Sequence, residues 1–290
     1  MKTGKINRND WLTITLILFL LIAAFLLSMG ILLVNDMESS YDKDKLDGTE
    51  QVHICKSFKA PEKVTGPLRE LYSTPYGTFE PIDSVLEINE YLTKNYTMLD
   101  FDMSIEYITE SRDRERALEI MKEIEAISAD ICKGLRSDYE KAKAIAMWVG
   151  KNLIYDYDAM ESEGSDLSVT SLEAILQNEY RTTCGGFSNM YSALCHSQGI
   201  FALNLIGGSS SQGYSRAQLA EAPANHRWNA VAVDGKWYYA DCTWISDKGF
   251  KKGVISGGED IKPFYAIFGF GEMSIEHRID RSEHRCYFPY

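Results

Sequence analysis

The feature that limits the fold of this chain most tightly is a hairpin signature. Residues 228–233 and 236–243 are rich in β-branched and aromatic side chains and flank Asp234-Gly235, a pair suited to a two-residue turn. If that turn closes, Val233 faces Lys236. Pairing then runs outward to set Trp228 against Asp241 and His226 against Thr243. Alternate residues share a face of a sheet, so His226, Trp228, Asp241 and Thr243 project to one side. His226 and Asp241 become diagonal neighbours, about 7–8 Å apart at the backbone and within side-chain reach. A carboxylate in that place holds an imidazole in one tautomer and stabilises its protonated form.

Upstream the pattern is helical. Ala117, Ile120, Met121, Ile124, Ile127 and Ile131 recur at helical spacing. Ser137-Asp138-Tyr139-Glu140 is a capping box that opens a second stripe of Ala142, Ile145, Ala146, Val149 and Leu153. Residues 171–177 read as a short helix, and 84–95 as another behind a Ser84…Glu87 box. Strands are expected over 98–108, 200–206 and 264–270. Residues 207–224, rich in Gly, Ser and Ala, read as a loop that shapes substrate entry. The Pro- and Gly-rich run 58–81 reads as a strap. Helices first and a strand meander after them give an α+β fold with an antiparallel sheet.

Cys184 stands directly before a stripe of Phe187, Met190, Tyr191, Leu194 and Cys195 at i, i+3, i+4, i+7 and i+8. It therefore falls in the first turn of a helix. Unpaired backbone N–H groups and the positive end of the helix dipole there favour thiolate over thiol. Gly185 and Gly186 let another segment approach the sulfur. A small buried cysteine would fit the same place, but a histidine and a carboxylate sharing one sheet face make a nucleophilic site the stronger reading. The six cysteines are scattered with no Cys-x-x-Cys, so neither a metal nor a cofactor is expected. With Cys184 kept for chemistry an odd number remains, and Cys195, on the apolar helix face, is the expected further free thiol. Cys242 alternates away from Asp241 and reads as structural. Trp228, Trp237 and Trp244 read as core or groove-wall residues. His53, His196, His277 and His284 are given surface or capping roles. Asn95-Tyr96-Thr97 fits a glycosylation sequon.

Cys184-Gly185-Gly186-Phe187, His226-Arg227-Trp228-Asn229 and Asp241-Cys242-Thr243-Trp244, in that order, resemble the Cys, His and Asp motifs of the transglutaminase-like superfamily. The segments Trp148…Tyr155-Asp156 and Phe268…Met273…His277-Arg278 are similar to those around the family's core, so the likeness runs over about residues 100–290. It implies a papain-like α+β core whose nucleophile begins a helix packed on the sheet that supplies His and Asp. It implies acyl transfer through a Cys184–His226–Asp241 triad, with the N–H of Cys184 as one oxyanion donor and Tyr180 as a candidate second. Water as acceptor gives hydrolysis of peptide or amide bonds, the favoured outcome; an amine gives a cross-linking transglutaminase. A non-catalytic cell-envelope binding module that keeps the fold is the alternative from another class. Thr182-Thr183 stands where the family often has Gly-x, which bears on the loop geometry before the nucleophile.

Residues 12–34 are almost wholly apolar, with no charge from Trp11 to Asn35. A helix of that length reaches about 35 Å, enough to span a bilayer. Lys2, Lys5 and Arg8 precede it and Asp36, Glu38, Asp42 and Asp44 follow, so the N-terminus is expected in the cytoplasm and the remainder outside. The expected layout is a cytoplasmic segment 1–11, a signal anchor 12–34, a tether and strap 35–99, and the catalytic domain 100–290, as in a membrane-anchored, bacterial-type member. The expected partners are the membrane and a peptide or protein substrate, with the cell envelope as a candidate source. A formal net charge of −12 without a basic stripe excludes nucleic acid.

Overall fold

The computed structural model describes residues 51–52, 72–74, 77–79, 103–162, 167–210, 216–234, 236–269, 273 and 275–279. In chain order these form β1 (Gln51–Val52), β2 (Tyr72–Thr74), β3 (Gly77–Phe79), β4 (Met103–Ser104), α1 (Ile105–Ile108), α2 (Arg114–Ile131), α3 (Asp138–Asn152), β5 (Ile154–Asp156), α4 (Tyr157–Met160), α5 (Leu167–Thr170), α6 (Leu172–Gln177) and β6 (Arg181–Thr182). They continue as α7 (Cys184–Ser197), β7 (Phe201–Ser209), α8 (Arg216–Glu221), β8 (His226–Val233), β9 (Lys236–Ala240), a 3-10 turn (Cys242–Trp244), β10 (Gly249–Lys251), β11 (Val254–Ser256), a second 3-10 turn (Pro263–Ala266) and β12 (His277–Ile279).

The class is α+β. One sheet, ordered β12-β7-β8-β9, is antiparallel throughout. A second, β11-β10-β5-β6, contains two parallel pairings, β10 with β5 and β5 with β6, which no local pattern announces. The local signals explain the helices. Asp113 caps α2, accepting from the Arg116 amide at 2.8 Å. Both halves of the Ser137–Glu140 capping box form at 3.2 Å. The faces read from periodicity are the buried ones: Ala117, Ile120, Met121 and Ile124 on α2, and Ala142, Ile145, Ala146 and Val149 on α3.

Helix α7 departs from its expected single stripe. Every residue from Gly185 to His196 is buried, because α2 and α3 pack on it from one side and β7 and β8 from the other. Asn189, Ser192 and the Ser188 carbonyl join a network that keys the helix to the sheet. Asn189 donates to the Thr170 carbonyl at 2.8 Å and accepts from Asn204 at 2.6 Å. Ser192 donates to Asn204 at 2.7 Å, and Asn229 donates to Ser192 at 3.0 Å and to the Ser188 carbonyl at 3.1 Å. A buried polar network is stable only when its members are paired. One relative position of helix and sheet achieves that, and it fixes Cys184 against His226.

The hairpin closes in the expected register, from Val233↔Lys236 to Asn229↔Ala240. It then stops. The expected pairs Trp228–Asp241 and His226–Thr243 do not form, because Asp241 leaves the ladder, donates its N–H to the Tyr265 carbonyl at 2.9 Å and caps a 3-10 turn. Other expectations need correction. The strand over 98–108 reduces, among the described residues, to Met103–Ser104, followed by a helical turn in which neighbouring Tyr107 and Ile108 are both buried, a pattern alternation forbids. The loop over 207–224 begins as strand: Gly207–Ser209 pair with β12, and Gly207 also with His226 of β8, and 216–221 is helical. A Cβ on Gly208 would come within 2.9 Å of the Ala222 side chain, so this glycine marks close approach rather than a loop. The strand over 264–270 is replaced by a turn opened by Pro263, with one bridge between Phe268 and Tyr239. His196 and His277 are buried rather than at the surface.

The four cysteines among the described residues, Cys132, Cys184, Cys195 and Cys242, are free thiols. Cys195 was the expected one; Cys132 and Cys242 are free as well. The apolar segment 12–34, the 84–95 helix, the Asn95 sequon, His53, Cys55, His284 and Cys286 lie outside the described residues. Among the described residues no helix is long and apolar enough to cross a membrane.

Candidate active site

Cys184 is the first residue of α7 and is half-buried. Thr183 caps the helix without a side-chain bond, while the amides of Gly186 and Phe187 bond the Thr183 carbonyl. The sulfur thus stands at the positive end of the helix dipole. Both glycines are required by contact. A Cβ on Gly186 would sit 1.9 Å from Thr182 Oγ1, and one on Gly185 would sit 2.6 Å from Arg227 Nη1.

His226 opens β8 and is 7% exposed. Its ring lies flat against Trp244, with centroids 5.2 Å apart and planes 15° apart. Its Nε2 donates to Asp241 Oδ2 at 2.7 Å, which leaves Nδ1 for the hydrogen bond that the ring makes with the Cys184 thiol. Asp241 is fully buried. Its Oδ1 accepts the Thr243 and Trp244 amides at 3.1 and 3.3 Å.

Three groups that sequence reasoning did not place complete the cluster. His277, buried on β12, donates Nε2–H to the same Asp241 Oδ2 at 2.9 Å. Tyr155 stands beside Thr182 in the parallel β5–β6 pair, and its hydroxyl hydrogen-bonds Cys184. The backbone of Arg227 also hydrogen-bonds the sulfur. Tyr180, the expected oxyanion donor, is turned away: its ring packs edge-on against Trp148 at 5.8 Å and its carbonyl accepts the Ile154 amide.

The electrostatics favour a charge-separated pair. Burial works against charge on all three groups. On His226 it is overcome by the Asp241 carboxylate and the hydrogen bonds to Asp241 and Cys184, which push the imidazolium up to about 10. On Asp241 burial is outweighed by His226 and then His277, which hold the carboxyl down at about 2. On Cys184 burial is outweighed by His226 and Arg227, so the thiol falls below its usual range. These directions favour thiolate, imidazolium and carboxylate in one hydrogen-bonded chain.

His226, Asp241 and His277 also have the residue types of a metal site, with donor atoms within 4.8 Å of one another. Their nitrogen–oxygen separations are those of N–H···O bonds, and the two hydrogens occupy the space between the donors. The arrangement reads as a hydrogen-bonded relay. Two cavities flank it, one of about 430 Å³ toward Trp244, Ser209 and Lys248, the other of about 310 Å³ toward Cys184, Val169 and Arg227. Both are lined by Tyr155, Met160, Asn225 and His226, so the imidazole lies at the waist of a groove and Cys184 lines the cavity on one side of it.

Residues 125–242 match the family described as the transglutaminase-like superfamily. The chain is 29% identical over 118 residues to mouse kyphoscoliosis peptidase, covering 41% of this chain and 17% of that protein. It is 27% identical over 176 residues to the Caenorhabditis elegans Lim and transglutaminase domain protein ltd-1, covering 59% and 22%. A solved TGase structure superposes with a TM-score of 0.38 at 17% identity, covering 63% of this chain and 46% of that one. The chain therefore spans about a fifth of the curated relatives it matches. Those two are animal proteins, so the expectation of a membrane-anchored, bacterial-type member does not rest on them. The family match takes in Cys184, His226 and Asp241, and over residues 125–242 this chain is similar to the transglutaminase-like superfamily.

Proposed function

We propose that the protein is a cysteine-dependent acyl-transfer enzyme that hydrolyses peptide or amide bonds. The observation that carries this reading is the unbroken hydrogen-bonded chain Cys184–His226–Asp241, with His226 at the waist of the groove. The Cys184 thiolate attacks the carbonyl carbon, forming a C–S bond and a tetrahedral oxyanion. The Cys184 amide and the Tyr155 hydroxyl are placed to donate to that oxygen. As the C–N bond breaks, the His226 imidazolium gives its Nδ1 proton to the departing amine and leaves a thioester. Neutral His226 then takes a proton from an entering water, which attacks the thioester; the C–S bond breaks, a carboxylic acid leaves, and the thiolate–imidazolium pair is restored. Asp241 keeps Nε2 protonated and Nδ1 turned to sulfur throughout. A groove that runs to both sides of His226 suits an extended peptide.

An activated ester such as p-nitrophenyl acetate tests the chemistry without a known substrate. The expected result is a burst of one p-nitrophenol per protein followed by slow turnover, absent from Cys184→Ala. Equal release by Cys184→Ala would sink the enzyme reading and leave a non-catalytic binding module. Including a fluorescent primary amine with casein separates the acceptors: incorporation into casein faster than water releases the acyl group would make the enzyme a cross-linker. The extracytoplasmic, membrane-anchored location is part of the proposal. It predicts full-length protein in the membrane fraction, degraded by protease added to intact cells.

A further inference from the structure

We propose that His277 is a fourth, positioning member of the site, which divides the charge of Asp241 with His226 and so sets how firmly the imidazolium, and through it the thiolate, is held. This rests on the acyl-transfer reading of the same cluster. Three observations carry it. His277 is fully buried and reaches Asp241 Oδ2 at 2.9 Å, on the oxygen that His226 reaches at 2.7 Å. The other carboxylate oxygen is already taken by the two amides of the 3-10 turn, so Oδ2 is the one oxygen through which Asp241 addresses His226, and His277 takes a share of it. Aromatic rings hold the imidazole there: Trp244 at 4.5 Å, Trp228 at 4.7 Å and Phe268 at 6.1 Å between centroids. A histidine needed only for packing has no call to spend its single N–H on the carboxylate that orients the base.

The charged groups that face His277 are Asp241 and His226. Burial, and the positive His226 beyond the shared oxygen, keep its own pKa below the usual value, so it is neutral and carries its proton on Nε2. The positive end of that N–H dipole lies close to His226, where it opposes the imidazolium. Asp241 has margin to spare: held at about 2, it stays ionised near neutrality after losing one of its four hydrogen bonds. Removing the His277 donor therefore leaves the whole of Oδ2 to His226. The imidazolium becomes harder to deprotonate and the thiolate forms at lower pH but is less reactive, because nucleophilicity falls with thiol pKa. His277 holds the pair near the strength at which the proton can still be passed on.

The test is the rate of iodoacetamide alkylation of Cys184, followed peptide by peptide across pH, in the parent, His277→Leu and His277→Gln. Gln places a non-titrating N–H donor close to where Nε2 stands. In His277→Leu the acid midpoint of the profile is expected to move down and the alkaline midpoint up, each by about half a pH unit or more, with a lower plateau rate; His277→Gln should keep the parent's profile. A His277→Leu profile that overlays the parent's, or moves the other way, overturns the proposal, as does a His277→Gln profile that follows Leu. If Leu does not fold, judged by near-UV circular dichroism, the Gln profile decides alone: displacement overturns the proposal, retention upholds it. Alkylation needs no acyl substrate, so a chain that fails to turn over the ester still gives a readable profile.

Discussion

Asp241→Asn is the substitution that separates the relay from a mere cluster of polar side chains. The amide has the shape of the carboxylate but one acceptor in place of two. The Thr243 and Trp244 amides require an acceptor at Oδ1, so the Asn oxygen stays there and its NH2 meets two imidazole N–H groups at the Oδ2 position. That is a clash of donors, and His226 relieves it by moving its proton to Nδ1, the side facing sulfur. The ring can then no longer accept the thiol proton. The energy at stake follows from the ring's present state. Rising from the usual 6.5 to about 10, at about 1.4 kcal/mol per pH unit, amounts to about 5 kcal/mol of preference for the imidazolium. Without the carboxylate, burial dominates and the ring is neutral at pH 7. Acylation by p-nitrophenyl acetate is expected to slow by about 10³-fold, and histidine NMR should show the His226 midpoint falling below 7. The pH dependence of stability changes in a defined direction. The raised His226 value stabilises the fold fully below pH 6.5, and that contribution is lost as pH rises through about 10; the lowered Asp241 value stabilises it above 3.8, lost as pH falls through about 2. The variant should therefore lose less stability than the parent between pH 7 and 11. Acylation within tenfold of the parent, or a His226 still protonated at pH 8, would refute the reasoning.

Tyr155→Phe removes the hydroxyl that bonds the sulfur without altering packing; acylation should slow by about 100-fold with an unchanged melting temperature, and an unaltered rate would clear Tyr155 of any part in the chemistry. Gly186→Ala drives a methyl into Thr182 Oγ1, so thermal unfolding should register a loss of about 1–3 kcal/mol; adding Thr182→Ser, which keeps the hydroxyl, should not recover it, whereas Thr182→Ala should recover part. Asn229→Leu strips a donor from Ser192, Asn204 and the Ser188 carbonyl and should cost about 3 kcal/mol in urea unfolding, with acylation impaired beyond the loss of folded protein because α7 is no longer keyed to the sheet.

Much of this site can be read from sequence because its parts sit on strong local signals. Asp234-Gly235 sets the hairpin register, and the apolar stripe behind Cys184 places the thiol at a helix start. What escapes such reading is non-local or turns on a single side chain. Tyr155 belongs to a strand of three residues whose neighbours, β6 and β10, come from distant parts of the chain. No hydrophobic period is detectable over so short a span. His277 is a lone histidine in a polar tail, and its partner lies 36 residues away; nothing within its own segment distinguishes a buried donor from a surface residue. Gly207 and Gly208 show a further failure. Glycine usually reads as a loop, yet here it lets a strand lie under Ala222.

The early end of β9 illustrates how the fold makes its charge-holding centre. Strand-favouring residues, Cys242, Thr243 and Trp244, follow Asp241, so local propensity would extend the ladder. Asp241 ends it, since its carboxylate offers the following amides a local alternative to sheet bonds. Two consequences follow from the one departure. The Thr243 and Trp244 amides leave the strand and donate to Asp241 Oδ1. On β8, no β9 residue pairs beyond Asn229, and the backbone of Arg227 bonds the Cys184 sulfur instead. Main-chain groups next to this sheet edge thus bond the anion at each end of the relay, while His226 carries the positive charge between them. A hairpin with two more regular pairs would gain ladder bonds and lose the donors that hold both charges.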